Sequence, residues 1–166
     1  EDECGECGGD GPEEGYDCDG TPVLFIHNSS TQQAFYYFYT VTIDGVIVDS
    51  LDWVGAFNGD VCVGARQWDT SMCGGGICDV PAMGDDGSEY TDGYMMNGDI
   101  PSFKIYDASN NTYYDATASE DIPPWIDFGL NQIDNLNVEP DCAGIIGGSA
   151  EEDECGICDG NNSSCA

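Results

Sequence analysis

Between residues 21 and 138, short apolar runs alternate with turn residues. The most prominent run, Ala34 to Val48 (AFYYFYTVTIDGVIV), is aromatic and β-branched, and Asp44-Gly45 interrupts it as a two-residue hairpin signal. Trp53–Phe57 and Val61–Ala65 bracket Asn58-Gly59-Asp60, a second hairpin. Further strands are expected at Val23–Ile26, Ile77–Ala82, Ser102–Tyr106, Thr112–Ala116 and Gln132–Val138, each bounded by Gly, Asn, Asp or Pro. Alternation along the first strand puts Phe35, Tyr37 and Tyr39 on one face and Tyr36 and Phe38 on the other. Helix signals are poor: leucine is scarce, and Lys104–Ile122, free of Gly and Pro, is rich in Asn, Thr, Tyr and Asp. The pattern predicts an all-β protein, a β-sandwich or jelly roll.

The two ends break the pattern. Residues 1–20 and 139–166 are acidic, Cys-rich and nearly devoid of apolar runs, so they are expected to be irregular, disulfide-rich connectors around a β domain at 21–138. They are also related to each other. Asp2-Glu-Cys-Gly-Glu-Cys7 aligns with Asp153-Glu-Cys-Gly-Ile-Cys158, and Asp17-Cys-Asp-Gly20 echoes Asp141-Cys-Ala-Gly144. One motif on both flanks of a globular segment is the pattern of a tandem array. The chain carries no signal peptide and begins with Glu, so it is expected to be a mature product or a piece of a longer polypeptide.

Charge then removes several function classes. Thirty-three acidic residues against two basic ones, Arg66 and Lys104, give a formal net charge of −31. Nucleic-acid binding needs several cations on one face, and an anionic membrane surface would repel this chain. No apolar run is long enough for a membrane span. With His27 the single histidine, catalysis through His or Lys has almost no raw material.

Ten cysteines and the sequons at Asn28, Asn110, Asn161 and Asn162 point to an oxidising, extracellular setting. Cys4-x-x-Cys7 and Cys155-x-x-Cys158 lack the second nearby pair of a zinc site, and neighbouring carboxylates disfavour thiolates, so disulfides are expected. The spacing suggests Cys7–Cys18 and Cys158–Cys165, with Cys155 reaching back to Cys142 and Cys4 odd or joined to another unit. Cys73 and Cys78 can close a small loop and leave Cys62 odd, while Cys62–Cys73 and Cys62–Cys78 stay open as alternatives.

The run from Asp153 to Cys165, D-E-C-G-x-C-x-G-x-x-x-x-C, resembles a short Cys-rich repeat of large secreted multidomain proteins and part of the Cys-rich region of ADAMTS-type metalloproteases. The segments Asp52-Trp-Val-Gly-Ala-Phe-Asn-Gly-Asp-Val-Cys62, Met83-Gly-Asp-Asp-Gly87 and Gly98-Asp-Ile-Pro-Ser-Phe-Lys-Ile-Tyr-Asp107 resemble a β-sandwich module of long extracellular microbial proteins. The resemblance implies location and architecture, not an activity. Ile145-Ile146 stands where such repeats usually carry another Cys, so the local pairing is expected to differ.

Relief of the acidic self-repulsion suggests Ca²⁺, which takes oxygen ligands from clustered Asp, Glu and Asn. Candidate ligands are Asp85, Asp86, Glu89 and Asp92 in one Gly-rich loop, Asp17 and Asp19 in D-C-D-G, and Asp10, Asp153, Glu154, Asp159 and Asn161 in the repeats. None has EF-hand spacing. Trp53 is expected in the core, whereas Trp68 and Trp125 are candidates for stacking on sugars.

These observations suggest a non-enzymatic structural subunit or repeat unit of an extracellular filament, sheath or stalk, self-associating head to tail and stabilised by disulfides, Ca²⁺ and N-glycans. One connector is expected at each end of the sandwich, with Asn28 and Asn110 facing outward. The alternatives are a carbohydrate-binding or adhesion module and a carboxylate-based glycoside hydrolase, since paired acids alone can hydrolyse glycosides.

Overall fold

The computed structural model describes residues 11–146, 148, 150–158 and 160. Among the described residues there are eight strands: β1 (Gln33–Ile43), β2 (Val46–Ile47), β3 (Trp53–Asn58), β4 (Val61–Gln67), β5 (Cys78–Met83), β6 (Ser102–Asp107), β7 (Thr112–Ala118) and β8 (Leu130–Val138). The remaining regular elements are single 3₁₀ turns, so the all-β expectation holds. Asp44 and Gly45 both adopt positive φ, 52° and 75°, which is the two-residue turn whose twist matches the strands it joins.

The strands form one mixed, curled sheet in the order β2-β1-β8-β7-β6-β3-β4, with β5 also pairing β1. Only Thr117↔Asn137 and Ala118↔Leu136 connect β7 to β8, so the sheet bends there into two facing halves. Tyr36 and Phe38 of β1 meet Phe103 of β6 across the interior, at centroid distances of 5.5 and 5.0 Å. At the far edge β4 returns against β5. Gly64 passes so close that a Cβ there would lie 1.7 Å from the Pro81 carbonyl oxygen, and Arg66 Nη2 reaches Asp79 Oδ2 at 3.3 Å.

β1 buries Ala34, Tyr36 and Phe38 on its inner face, then changes phase and buries Val41. Its parallel neighbour β8 changes in step, burying Ile133 and then Leu136 and Val138. After the change, Thr40 and Thr42 of β1 and Asn135 and Asn137 of β8 face outward in register.

A second cluster lies on the outer face of the β3–β4–β6–β7 half. Phe25, Phe57 and Tyr106 are buried there, with Tyr16, Trp53 and Tyr113 packed around them. Phe25 sits on Gly55, where a Cβ would come within 2.6 Å of its ring. The strand expected at Val23–Ile26 is instead a 3₁₀ turn, Val23–Phe25. The Phe25 N–H closes it onto Pro22 O at 2.8 Å, and only the Phe25 side chain turns inward. Depth in an aromatic pocket outweighs the β propensity of the run.

Both connectors leave from one end of the domain. The C-terminal connector starts at Val138, whose carbonyl accepts the Asp44 N–H at 2.7 Å beside the β1–β2 turn. The N-terminal connector lies against Trp53, Asp49 and Ala108. Ile43, Asp49, Asp107 and Ser109 line one small cavity, so the β1–β2 and β6–β7 turns meet at this end. The expected placement of one connector at each end is therefore corrected: residues 21–32 carry the chain away from the N-terminal connector to the start of β1, where Ser30 Oγ donates to Gly84 O, and β8, parallel to β1, returns it to the connector end.

Candidate functional site

The connectors are built from one repeated turn. In each copy an Asp side chain accepts two backbone N–H groups through Oδ1. Asp17 takes those of Asp19 (3.0 Å) and Thr21 (2.8 Å), Asp141 those of Ala143 and Ile145 (both 2.9 Å), and Asp153 those of Cys155 (2.9 Å) and Ile157 (3.0 Å). The Asp N–H donates to the carbonyl of the fourth residue on, at 2.9 Å in all three. The third residue on is Gly, with φ of 82°, 80° and 78° at Gly20, Gly144 and Gly156. In the two C-terminal copies a second glycine completes the turn. A Cβ at Gly148 would lie 2.1 Å from Asp141 Oδ2, and one at Gly160 2.2 Å from Asp153 Oδ2. These segments have almost no core, so a side-chain carboxylate takes over the ordering of the backbone.

A disulfide joins one C-terminal turn to the next: Cys142 bonds Cys158 with Cα atoms 5.5 Å apart. This corrects two expected pairings, Cys155–Cys142 and Cys158–Cys165. The turn geometry brings the residue after the first Asp to the sixth position of the following copy, which spacing alone did not reveal. Cys18 and Cys155 are each disulfide-bonded as well. Cys4, Cys7 and Cys165 lie outside the described residues. Cys73 bonds Cys78, and Cys62 is a free, buried thiol, unable to bridge to another unit without opening the core. Burial pushes the Cys62 thiol up to about 11.

The acidic loop expected to hold Ca²⁺ uses its carboxylates internally. Asp86 Oδ1 accepts the Ser88 N–H (3.0 Å) and the Thr91 hydroxyl (2.9 Å), and Oδ2 accepts the Thr31 N–H (3.2 Å). Hydrogen bonds from Ser88, then Thr91 and Thr31, hold Asp86 well below the usual carboxylate range. Asp85 Oδ1 takes the Gly87 N–H at 2.9 Å, while Glu89 and Asp92 are exposed. Asp17 and Asp153 serve their turns, Asp19 is exposed and Glu154 stands in the second C-terminal turn. Asp10, Asp159 and Asn161 lie outside the described residues, as does the sequon residue Asn162. Among the described residues no group of three or more His, Cys, Asp or Glu gathers as a metal site.

Trp68 and Trp125 are corrected as sugar platforms. They are 3% and 1% exposed, and Trp125 Nε1 donates to Ala82 O at 2.9 Å within the core. An indole removes more apolar area from water than any other side chain, and both interior faces had room for one. The partly accessible tryptophan is Trp53. It stands in a cleft of about 590 Å³ between the N-terminal connector and the connector end of the sheet, with Pro12, Tyr16, Leu51, Gln67 and Ala108. Glu13, Asp17 and Asp49 also line this cleft. Asp49 Oδ1 accepts the Leu51 N–H at 2.9 Å, so it too holds a turn.

Beneath the cleft, Asp52 is a buried carboxylate that the sequence did not single out. It accepts the N–H of Ala108 through Oδ1 and of Asp49 through Oδ2, both at 2.9 Å, fastening the β2–β3 loop to the end of β6. Desolvation raises its pKa, opposed by those two bonds. Asn28 and Asn110 are exposed, and their Nδ2 groups donate to Tyr90 O (2.9 Å) and Asp107 Oδ2 (2.8 Å).

Comparison with protein-family models, with curated proteins and with solved structures found no match for this chain. Two features bear on location: the disulfides at Cys73–Cys78 and Cys142–Cys158, and, among the described residues, the absence of a helix long and apolar enough to cross a membrane.

Proposed function

We propose that this chain is a structural building block of an extracellular array, in which the Cys-rich connectors form the axis and the β domain stands off it as a lobe. The observation that carries this reading is the Asp-x-x-Gly turn, repeated with matching hydrogen bonds at 17–21, 141–145 and 153–157 and linked from one copy to the next by Cys142–Cys158. A short turn that can be concatenated and cross-linked suits a durable axis outside the cell, where disulfides persist. The shared exit end of the connectors supports lateral lobes rather than end-to-end sandwiches.

The second copy enters through complementary surfaces. Ile145, Ile146 and Ile157 project from the C-terminal connector, 61%, 37% and 42% exposed, and the N-terminal connector bears the cleft around Trp53. Seating those isoleucines in the cleft of a neighbour would remove apolar surface from water, with counter-ions screening Glu13, Asp17 and Asp49 of the cleft from the acids of the connector. N-glycans at Asn28 and Asn110 belong to the same proposal, and divalent cations enter it as counter-ions of the acidic surface. Electron microscopy and lysine-independent photo-crosslinking from position 51 test the array. Crosslinks from that position into 141–158 of another copy are expected, and dispersed monomers at high concentration without such crosslinks would refute it.

One observation favours a second reading, carboxylate-based glycoside hydrolysis: Glu13, Asp17 and Asp49 share the cleft. Release of reducing sugar that Glu13→Gln abolishes would establish it.

A further inference from the structure

The outer face where the sheet bends carries a groove of about 550 Å³, formed by β1, β8 and β7. Its lining is unusual for this chain. Thr40 and Thr42 stand on β1, Asn135 and Asn137 on β8, Thr117 and Ser119 on or just after β7, and Glu139 at one edge is the single charged group. The register arranges them in two rows: Thr42–Asn137–Thr117, from the Cα partners, and Thr40–Asn135–Ser119, in which the Ser119 N–H donates to Asn135 O at 2.9 Å. Strand geometry spaces neighbours about 4.8 Å apart within a row and the rows roughly 7 Å apart.

The groups differ in what they leave open. Thr42 Oγ1 donates to Asn137 Oδ1, and Asn137 Nδ2 donates to Glu139 Oε1 at 2.8 Å, so this line is held in place by its own hydrogen bonds. Ser119 Oγ accepts the Asn135 backbone N–H at 3.0 Å, whereas the hydroxyls of Thr40 and Thr117 and the side-chain amide of Asn135 have no hydrogen-bond partner among the described residues. Tyr39, which precedes Thr40 on β1 and lies outside the groove lining, is half exposed and donates its hydroxyl to Gln132 Oε1 at 2.9 Å, which holds the ring over β8.

We propose that this groove binds an uncharged polysaccharide. A chain of −31 repels anionic ligands, and a cationic ligand would find denser carboxylates almost anywhere else on the surface. What the groove offers is a concave set of oriented neutral donors and acceptors, with the exposed ring of Tyr39 one residue away along β1. Sugar hydroxyls satisfy such groups in pairs, and the ring receives the apolar face of a pyranose. The inference stands independently of how successive copies assemble.

Affinity electrophoresis of the intact chain in gels containing a β-1,4-glucan, a β-1,3-glucan, a mannan or a sulfated galactan tests it. Retardation by at least one neutral polymer and none by the sulfated one is expected. Asn135→Ala and Thr117→Val each remove one solvent-facing group, so they should weaken retention about tenfold at an unchanged melting temperature. The proposal is overturned if no neutral polymer retards the chain, if both variants bind as the parent does, or if the sulfated polymer binds equally. It is overturned as well if the free chain sediments as a dimer that the same substitutions dissociate, since a second copy would then cover the face.

Discussion

Gly55 and Asp52 show how single residues tie the N-terminal segment and the loops to the sheet. Replacing Gly55 with Ala places a methyl group 2.6 Å from the Phe25 ring, and Phe25 is enclosed by Phe57, Tyr106 and Tyr113. The ring must leave its pocket, so Gly55→Ala is expected to destabilise by about 2–3 kcal/mol, read as a lower denaturant midpoint. Asp52→Ala leaves the N–H groups of Ala108 and Asp49 without their acceptor and should cost roughly 2 kcal/mol in the same measurement. Cys62 makes a prediction of another kind. A thiol raised to about 11 and enclosed in the aromatic cluster is expected to resist maleimide at pH 8 in the native protein and to react at once in denaturant. Labelling of the native protein at the denatured rate would contradict its burial.

At the scale of elements, the connector turns and the β4–β5 seam rest on different forces. The turns depend on a charged carboxylate and a disulfide. The N–H of Ile145, with those of Ala150 and Ala143, holds Asp141 below the ordinary carboxylate range. A depressed pKa means that the turn keeps its full stabilisation above the unfolded value near 4 and loses it as pH falls below that value. The backbone ¹⁵N shift at Ile145 should therefore move below about pH 4, and Asp141→Asn should abolish that titration. Reduction should make 141–158 susceptible to protease while β1–β8 survive, because the strands have a core and the turns do not. The seam depends on close backbone approach. Gly64→Ala cannot be accommodated by a side-chain shift, because the obstacle is the Pro81 carbonyl, so β4 should separate from β5 and amide exchange should rise in both strands.

For the whole molecule the controlling quantity is charge. Thirty-three acids on 166 residues repel one another, and only Arg66 and Lys104 oppose them, each already paired, with Asp79 and Asp115. Sodium chloride is expected to raise the melting temperature steeply between 0.01 and about 0.15 M, as the Debye length falls from about 30 to 8 Å. Calcium at matched ionic strength should add little if the ion acts as a diffuse counter-ion. A saturable rise at micromolar calcium, reversed by EDTA, would show a discrete site instead.

Periodicity along the chain was enough for the strands from Gln33 onward, because alternation and turn residues are local properties. Asp44-Gly45 specifies its hairpin through the positive φ both residues tolerate, whereas spacing allowed Cys73–Cys78 alongside two bridges to Cys62, and the burial of Cys62 in the core decided among them. The relatedness of the ends was equally legible as D-x-x-G, although the second glycine of the turn, at 148 and 160, gains meaning only once Asp Oδ2 is seen against it. Other features belonged to the tertiary structure. Which tryptophan stays accessible depends on where two sheet halves leave room, and hydrophobicity is identical for Trp53, Trp68 and Trp125. The Thr–Asn rows exist only because parallel β1 and β8 change phase together, bringing residues nearly a hundred positions apart into one register. Composition set the charge, the redox chemistry and the strand content of this protein. Pairing between distant strands decided its groove, its cleft and the common end of its connectors, since those contacts are selected by packing over the whole fold rather than by any local run of residues.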